Sequence, residues 1–211
     1  MCGSGRIGLP LVEAGHDYTG LDYSAKLLER FRAKVSTAHS PMLIEGDARR
    51  FQCGKRFDLI FIGFHSLSEV VDNQDKRQVL IQIANHLETG SAFIFSLQNP
   101  DTRMRSIRES PSGKRVIPFP DGTKELEFSY VLESPKNNGE VVGVQRYAIL
   151  AGDRVIDRRE LPIHFHLIGK KDIETILADT GFRIENLFGD YDGSDWHTDS
   201  PFMIIDCRLD L

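Results

Sequence analysis

A glycine-rich turn and a set of strand-end residues carry the chemistry that this sequence offers. Gly3 and Gly5 run into a short helical pattern, where glycine lets the backbone approach a ligand and the helix start favours negative charge. Asp22 ends the next strand pattern, where a carboxylate can accept hydrogen bonds from both hydroxyls of a ribose. Asp47 follows a further strand and suits an adenine amino group, and the turn Gly63–Ser66 ends the longest apolar run. Together these residues predict a site for a nucleoside-bearing cofactor.

The elements between them predict a parallel α/β sheet. Strand patterns alternate with amphipathic helical segments, and the connections are too long for hairpins. One helix begins at Ser24, and residues 73–90 predict another that Gly90 ends. Residues 56–64 are almost continuously apolar, which predicts a strand covered on both faces. Because ligands bind at the carboxyl ends of such strands, the residues above should share one edge.

The second half changes character. From Thr102 to about His166, polar and apolar residues alternate between turn sequences, which predicts an antiparallel meander with one wet face. A helix over residues 169–181 and an antiparallel hairpin over residues 182–211 follow. We therefore expect a core at 1–101, a β insertion at 102–168, and a C-terminal part at 169–211 that completes the core sheet.

Composition excludes several classes of protein. The 211 residues carry a net charge of −5 without a basic block, which argues against a nucleic acid partner. No apolar run approaches the roughly 18 to 20 residues that span a bilayer, so no membrane partner is expected. The three cysteines are widely spaced and form no CxxC pair, which predicts a reduced, cytoplasmic protein.

Two cofactor classes compete for the glycine turn. Gly3, Gly5 and Gly8 satisfy G-x-G-x-x-G, and Asp22 lies near the offset of the dinucleotide fingerprint, so an NAD-dependent oxidoreductase is one alternative. The ordered set "CGSGRIGLPLVEAGHDYTGLDYS", "LIEGDARRF", "FDLIFIGFHSL" and "IFSLQNPD" resembles the motifs of class I S-adenosylmethionine-dependent methyltransferases instead. The tail "GFRIENLFGDYDGSDWHTDSP" resembles the small-molecule branch that carries a β-rich insertion.

The resemblance implies S-adenosylmethionine as cofactor and methyl transfer to a nitrogen or oxygen of a small-molecule acceptor, with the insertion as a lid. It implies Gly3 and Gly5 at the methionine part, Asp22 at the ribose with Tyr23 beside it, Asp47 and Ala48 at the adenine, and Phe64, His65 and Ser66 at the sulfonium. His65, and Tyr191 or Asp192, are candidates for the group that takes the acceptor's proton.

Each candidate also has a structural interpretation. His65 can hydrogen-bond its own turn, and the "GDYDGS" segment around Tyr191 has ordinary turn chemistry. His164 and His166 lie on one face of a strand, as a metal pair would, but no third ligand stands at a diagnostic spacing, so no metal is expected. Cys53 beside Lys55 fits a loop cysteine better than a reactive thiol.

The resemblance also implies elements ahead of the glycine turn. Relatives have a helix, an apolar strand and an acid there, and Met1 stands where they have a glycine. We expect coding sequence upstream of Met1 to supply these elements. A protein of the same fold that has lost catalysis is a second alternative, and an exposed edge of the insertion can pair with a second copy to form a homodimer.

Overall fold

Residues 1–136 and 138–210, which the computed structural model describes, alternate strands and helices in the first half and form a separate antiparallel sheet in the second. In chain order the elements are α1 (Gly8–Glu13), β1 (Thr19–Asp22), α2 (Ala25–Arg32), β2 (Met42–Glu45), β3 (Phe57–Ile62), a 3₁₀ turn (Ser66–Glu69), α3 (Asn73–His86), β4 (Leu87–Gln98), α4 (Pro100–Glu109), β5 (Ser112–Pro118), β6 (Glu125–Leu132), β7 (Glu140–Ala151), β8 (Arg154–His166), α5 (Lys170–Asp179), β9 (Phe182–Phe188) and β10 (Phe202–Leu209).

The core strands form two sheets. Strands β1 and β2 pair in parallel, with Asp22 opposite Glu45, while the order β3-β4-β10-β9 makes a four-stranded mixed sheet. Strand β3 runs parallel to β4, and β10 is antiparallel to both β4 and β9, so the predicted C-terminal hairpin is confirmed. The α/β fold is confirmed as well, although no described strand joins β1 to β3.

The interpretation of β3 as a strand covered on both faces is wrong. Leu59 is 47% exposed, and Asp58 before it is exposed as well. The apolar run of β3 instead forms one wall of a cavity that β1 lines on the other side. Continuous hydrophobicity predicts apolar surroundings but does not say which element, or whether a cavity, lies against each face.

Helix boundaries follow local signals in some places and tertiary pairing in others. Ser24 caps α2 as predicted, with its hydroxyl accepting from Leu27 N at 3.4 Å. The prediction that Gly90 ends α3 is wrong, because α3 ends at His86 and β4 begins at once with Leu87. Gly90, with φ +79°, lies inside β4, in the irregular interval where pairing with β3 shifts register. Strand pairing therefore overrides the glycine stop signal.

The insertion is shorter than its sequence pattern predicts. Asn99 caps α4 by accepting from Asp101 N at 3.2 Å, and Pro100 occupies the first helical position, so residues 102–109 are helical rather than β. The antiparallel order β5-β6-β7-β8 is confirmed. The single wet face is not, because residues 154–162 of β8 are exposed throughout. The buried apolar residues of the insertion sheet form one small cluster with α4. They are Ile107, Leu132, Val141 and Leu167.

A fully buried lysine joins the core to this sheet. The Nζ atom of Lys76, which is 0% exposed, lies 2.6 Å from Val71 O, 3.2 Å from Asn73 Oδ1 and 2.9 Å from His166 Nδ1. Burial lowers the pKa of Lys76 to about 8, against the partly opposing charges of Asp72 and Asp75. At neutral pH the ammonium therefore donates to two oxygens and to a neutral imidazole.

The buried Lys76 should make stability depend on pH. Its folded pKa lies below the ordinary 10.5, so the unfolded chain binds more protons between pH 8 and 10.5. The free energy of unfolding of the wild type should therefore rise with pH in this window relative to Lys76→Met, by at most about 3 kcal/mol. Urea unfolding of both proteins at pH 7 and pH 10 measures this, with Lys26→Met on the exposed side of α2 as control. Equal pH dependence in wild type and Lys76→Met would contradict it.

None of the helices within the described residues combines the length and apolarity that crossing a membrane requires.

Candidate active site

The glycine turn is anchored on Asp22. Its Oδ2 accepts from Gly3 N at 2.7 Å and from the Met1 amino group at 2.6 Å, and its Oδ1 accepts from Ser24 N at 2.9 Å. Asp22 is 7% exposed, and burial acts to raise its pKa, but the hydrogen bonds from Met1, Ser24 and Gly3 outweigh it and the pKa is lowered. The residue is thus an ionised carboxylate that fixes the loop and the start of α2.

Gly5 and Gly3 differ in what lies beside them. Both have left-handed backbones, with φ of +83° and +57°. A Cβ on Gly5 would overlap the buried ring of Phe31, so the loop lies directly against α2. A Cβ on Gly3 would meet nothing within 4 Å. The face of the turn at Gly3 is therefore open to a ligand, while the face at Gly5 is used for packing.

Asp47 is already paired with a cation. Arg49 contacts it through Nε at 3.0 Å and through Nη2 at 2.6 Å, and this interaction is the main reason why the pKa of Asp47 falls to about 2. Arg49 also reaches Asp75, at 2.7 Å, near the start of α3. The carboxylate thus holds the turn after β2 against α3, and Ala48 beside it lines the central cavity.

That cavity, of about 330 Å³, lies between the glycine turn with β1 and the apolar wall of β3. Its size is near the lower end of the roughly 300–1,000 Å³ of small-molecule sites. Of the predicted site residues, Gly3, Ala48 and Phe64 line it. Phe64 is 53% exposed and lies under the guanidinium of Arg6, 4.8 Å from its ring centre. Gly5, Asp22, Tyr23, Asp47, His65 and Ser66 lie outside the cavity wall.

His65 is half-buried at the carboxyl end of β3. Its backbone has φ +59°, its N–H donates to Ser96 Oγ at 3.4 Å, and its ring stacks on Phe202 at 5.1 Å between centres. Within the described ranges, its buried Nδ1 has no hydrogen-bond partner. Burial lowers the pKa of His65, the Ser96 backbone opposes this, and the charge of Arg103 adds to it. The imidazole is therefore neutral at pH 7.

Phe202, the first residue of β10, brings the two predicted proton acceptors to one place. Tyr191 packs on it at 5.3 Å between ring centres and is 64% exposed. Asp192 instead closes a turn by accepting from Ser194 N at 2.9 Å. His65 and Tyr191 thus flank one aromatic ring, with the histidine inside and the tyrosine at the surface.

Sequence reasoning missed the residue that fixes this loop. Asn99, 1% exposed, donates through Nδ2 to Thr198 O at 2.9 Å and to Ser200 O at 2.8 Å. It therefore ties the loop between β9 and β10 to the carboxyl end of β4. The position of Asn99 between a strand and Pro100 was the available signal, because asparagine there both caps a helix and presents an amide.

Other sequence candidates lie apart from this edge. His164 Nε2 lies 2.7 Å from Glu140 Oε1, while His166 faces Lys76, so the two imidazoles have separate partners. Burial raises the pKa of the Cys53 thiol, which favours the loop-cysteine interpretation over a reactive thiolate. Tyr23 follows Asp22 directly and is 80% exposed, and Ser66 begins the 3₁₀ turn after His65.

Comparison with known proteins agrees with this geometry. Residues 1–90 match the family described as methyltransferase domain. The putative methyltransferase YqeM of Bacillus subtilis (strain 168) is 22% identical over 202 residues, which cover 90% of this chain and 74% of the relative. A S-adenosylmethionine-dependent methyltransferase from Clostridium acetobutylicum ATCC 824 superposes with a TM-score of 0.83 at 18% identity, covering 99% of this chain and 81% of that one. The sugar N-methyltransferase KedS8 from Streptoalloteichus sp ATCC 53650 gives 0.78 at 16% identity, covering 99% and 78%.

These likenesses favour S-adenosylmethionine over NAD as the cofactor of the glycine turn. The family match falls on the segment that contains the turn, Asp22 and Asp47, and the fold extends over almost the whole chain. Residues 1–90 are therefore similar to the methyltransferase domain family, and almost the whole chain has the fold of solved S-adenosylmethionine-dependent methyltransferases.

Proposed function

We propose that this protein transfers a methyl group from S-adenosylmethionine to a nitrogen or oxygen of a small molecule. The observation that carries the proposal is the half-buried, neutral imidazole of His65, which directly follows Phe64 in the wall of the cavity that Gly3 also lines. A sugar and a glycopeptide N-methyltransferase share the fold, which makes amines the first acceptors to assay.

We also propose which residues contact each part of the cofactor. We propose that the open backbone at Gly3 faces the methionine part, that Asp22 and Tyr23 border the ribose, and that Ala48 borders the adenine. The carboxylate of Asp22 orders the turn through Gly3 N, and we assign it the ribose contact as well. Because Arg49 neutralises Asp47, we assign Asp47 to holding this wall rather than to a strong direct contact.

When bound, S-adenosylmethionine supplies an already activated sulfonium methyl group. The protein must then align the acceptor, exclude water and accept a proton. We assign proton acceptance to His65, because its lowered pKa leaves a lone pair on the ring at neutral pH. We assign Phe64 and Ser66 to the walls beside the reacting groups, and the Tyr191 hydroxyl to the outer rim of the acceptor pocket, with the β5–β8 sheet as its cover.

His65→Gln should lower kcat at pH 7 by about 100-fold, within the range typical of a general base. The pH dependence of the rate provides a second test of this role. The imidazole has a lowered pKa, so the wild-type rate should be flat above pH 7 and fall once acid protonates the ring, whereas the residual rate of His65→Gln should lack this acid limb.

Release of S-adenosylhomocysteine with a panel of small amines and alcohols measures both effects. His16→Gln, an exposed histidine ahead of β1, is the matched control and should keep the wild-type profile. A His65→Gln protein with wild-type kcat at all pH values would remove His65 from the mechanism. A wild-type protein that binds S-adenosylhomocysteine but methylates nothing would favour the non-catalytic alternative.

We also propose a cytoplasmic location and allow for a homodimer. Cys2, Cys53 and Cys207 are free thiols, as a reducing compartment keeps them. Strands β5 and β8 are the outer strands of the insertion sheet and carry backbone groups that a second copy can pair with.

A further inference from the structure

Arg103 is a half-buried arginine without a carboxylate partner within residues 1–136 and 138–210. Its Nε is buried and makes no hydrogen bond there. Arg105, on the same helix, differs in that it lies 3.7 Å from Asp199. Partly removing a guanidinium from water without pairing it costs free energy, and a bound anion would offset this cost.

The backbone of Arg103 is held by the start of α4, next to the loop that Asn99 fixes. Its backbone N–H donates to Asn99 O at 3.0 Å, in the first turns of α4, and Asn99 in turn holds the loop before β10. Strands β3 and β4 are parallel neighbours, so His65 after β3 and Arg103 after β4 lie at the same edge.

The positive charge of Arg103 helps to lower the pKa of His65, because it disfavours a second positive charge on the imidazole. Two buried nitrogens without partners, His65 Nδ1 and Arg103 Nε, thus belong to one edge of the sheet. The imidazole of His65 can accept a proton from the acceptor, and the guanidinium of Arg103 can bind a negatively charged group of it.

We propose that the acceptor carries a carboxylate, which the guanidinium of Arg103 binds while the nucleophilic nitrogen or oxygen faces His65. This inference rests on the proposed methyl transfer and narrows its substrate to small amino or hydroxy acids. A planar guanidinium matches a carboxylate with two parallel hydrogen bonds, which gives orientation as well as affinity. Arg103 is then a specificity-determining residue.

The binding test uses the full chain and needs no turnover. We would titrate ¹⁵N-labelled protein with sodium propionate and with propionamide, which differ in the carboxylate, and follow the Nε–Hε resonance of Arg103. Propionate should shift this resonance saturably and bind at least about 10-fold more tightly than the amide. Arg103→Gln should abolish the preference, and Arg105→Gln, on the same helix, should keep it. Equal binding of the two probes, or an unchanged preference in Arg103→Gln, would overturn the inference.

The kinetic test uses pairs of small amines, each as a free acid and as its primary amide. Arg103→Gln should raise KM for the acids by about 10- to 100-fold with little change in kcat, and Arg103→Lys should restore part of the loss. Wild-type turnover without preference for acids would overturn the inference and leave methyl transfer intact. Selective propionate binding without turnover of any acceptor would instead support the anion site and count against the proposed reaction.

Discussion

Asp22→Asn should weaken binding of S-adenosylhomocysteine by about 100-fold or more. The carboxylate accepts from Gly3 N through one oxygen and from Ser24 N through the other, and an asparagine amide has only one oxygen for these two donors. At least one backbone N–H then faces an NH₂ group. Hydrogen bonds to a charged group are each worth roughly 1.5–3 kcal/mol, and about 3 kcal/mol corresponds to this loss of affinity. Titration calorimetry measures it directly.

The control for Asp22→Asn is the same change at Asp153, an exposed residue in the turn between β7 and β8. Asp153→Asn should bind like the wild type. The fold of Asp22→Asn is checked by urea unfolding, because the carboxylate also stabilises the start of α2 through Ser24. A folded Asp22→Asn protein with wild-type affinity would show that the turn does not depend on this carboxylate.

Gly5→Ala should lower the free energy of unfolding by about 2 to 5 kcal/mol. A left-handed backbone costs a residue with a Cβ about 1–2 kcal/mol, and overpacking a core adds about 1–3. At Gly5 both apply, since φ is +83° and the new methyl group overlaps the ring of Phe31, which is 0% exposed. Urea unfolding monitored by circular dichroism gives the value.

Gly15→Ala separates the two contributions. Gly15 has φ +86°, and a Cβ there meets nothing within 4 Å, so this variant should lose about 1 kcal/mol from backbone strain alone. The double change Gly5→Ala with Phe31→Leu should then be less destabilised than the sum of its parts, because the smaller side chain makes room. Equal losses in Gly5→Ala and Gly15→Ala would mean that the loop does not pack on α2 as described.

Local sequence signals predicted much of this architecture because they act within a few residues. Ser24 caps α2 through its own side chain, as predicted. Leu28 and Phe31 face the core as helical spacing requires. Where a distant partner decides, the prediction was wrong: Leu87 pairs with Phe57 of β3, so α3 ends at His86, before Gly90.

The candidate site was predictable only in part for the same reason. His65 and Tyr191 were found because each follows a strand in a recognisable segment, but the ring of Phe202 between them is a tertiary feature. Arg103 belongs to no motif, and its importance lies in a partner that it lacks within the described residues. Likewise, hydrophobicity identified β1 and β3 as strands without indicating that they border a cavity rather than each other.

The most direct test of the account is calorimetric titration of the full chain with S-adenosylhomocysteine and, separately, with NAD. We predict saturable binding of one S-adenosylhomocysteine per chain and no heat of binding with NAD at the same concentrations. Tight binding of NAD, or no binding of S-adenosylhomocysteine by the folded protein, would contradict the central claim that this site holds the methyl donor.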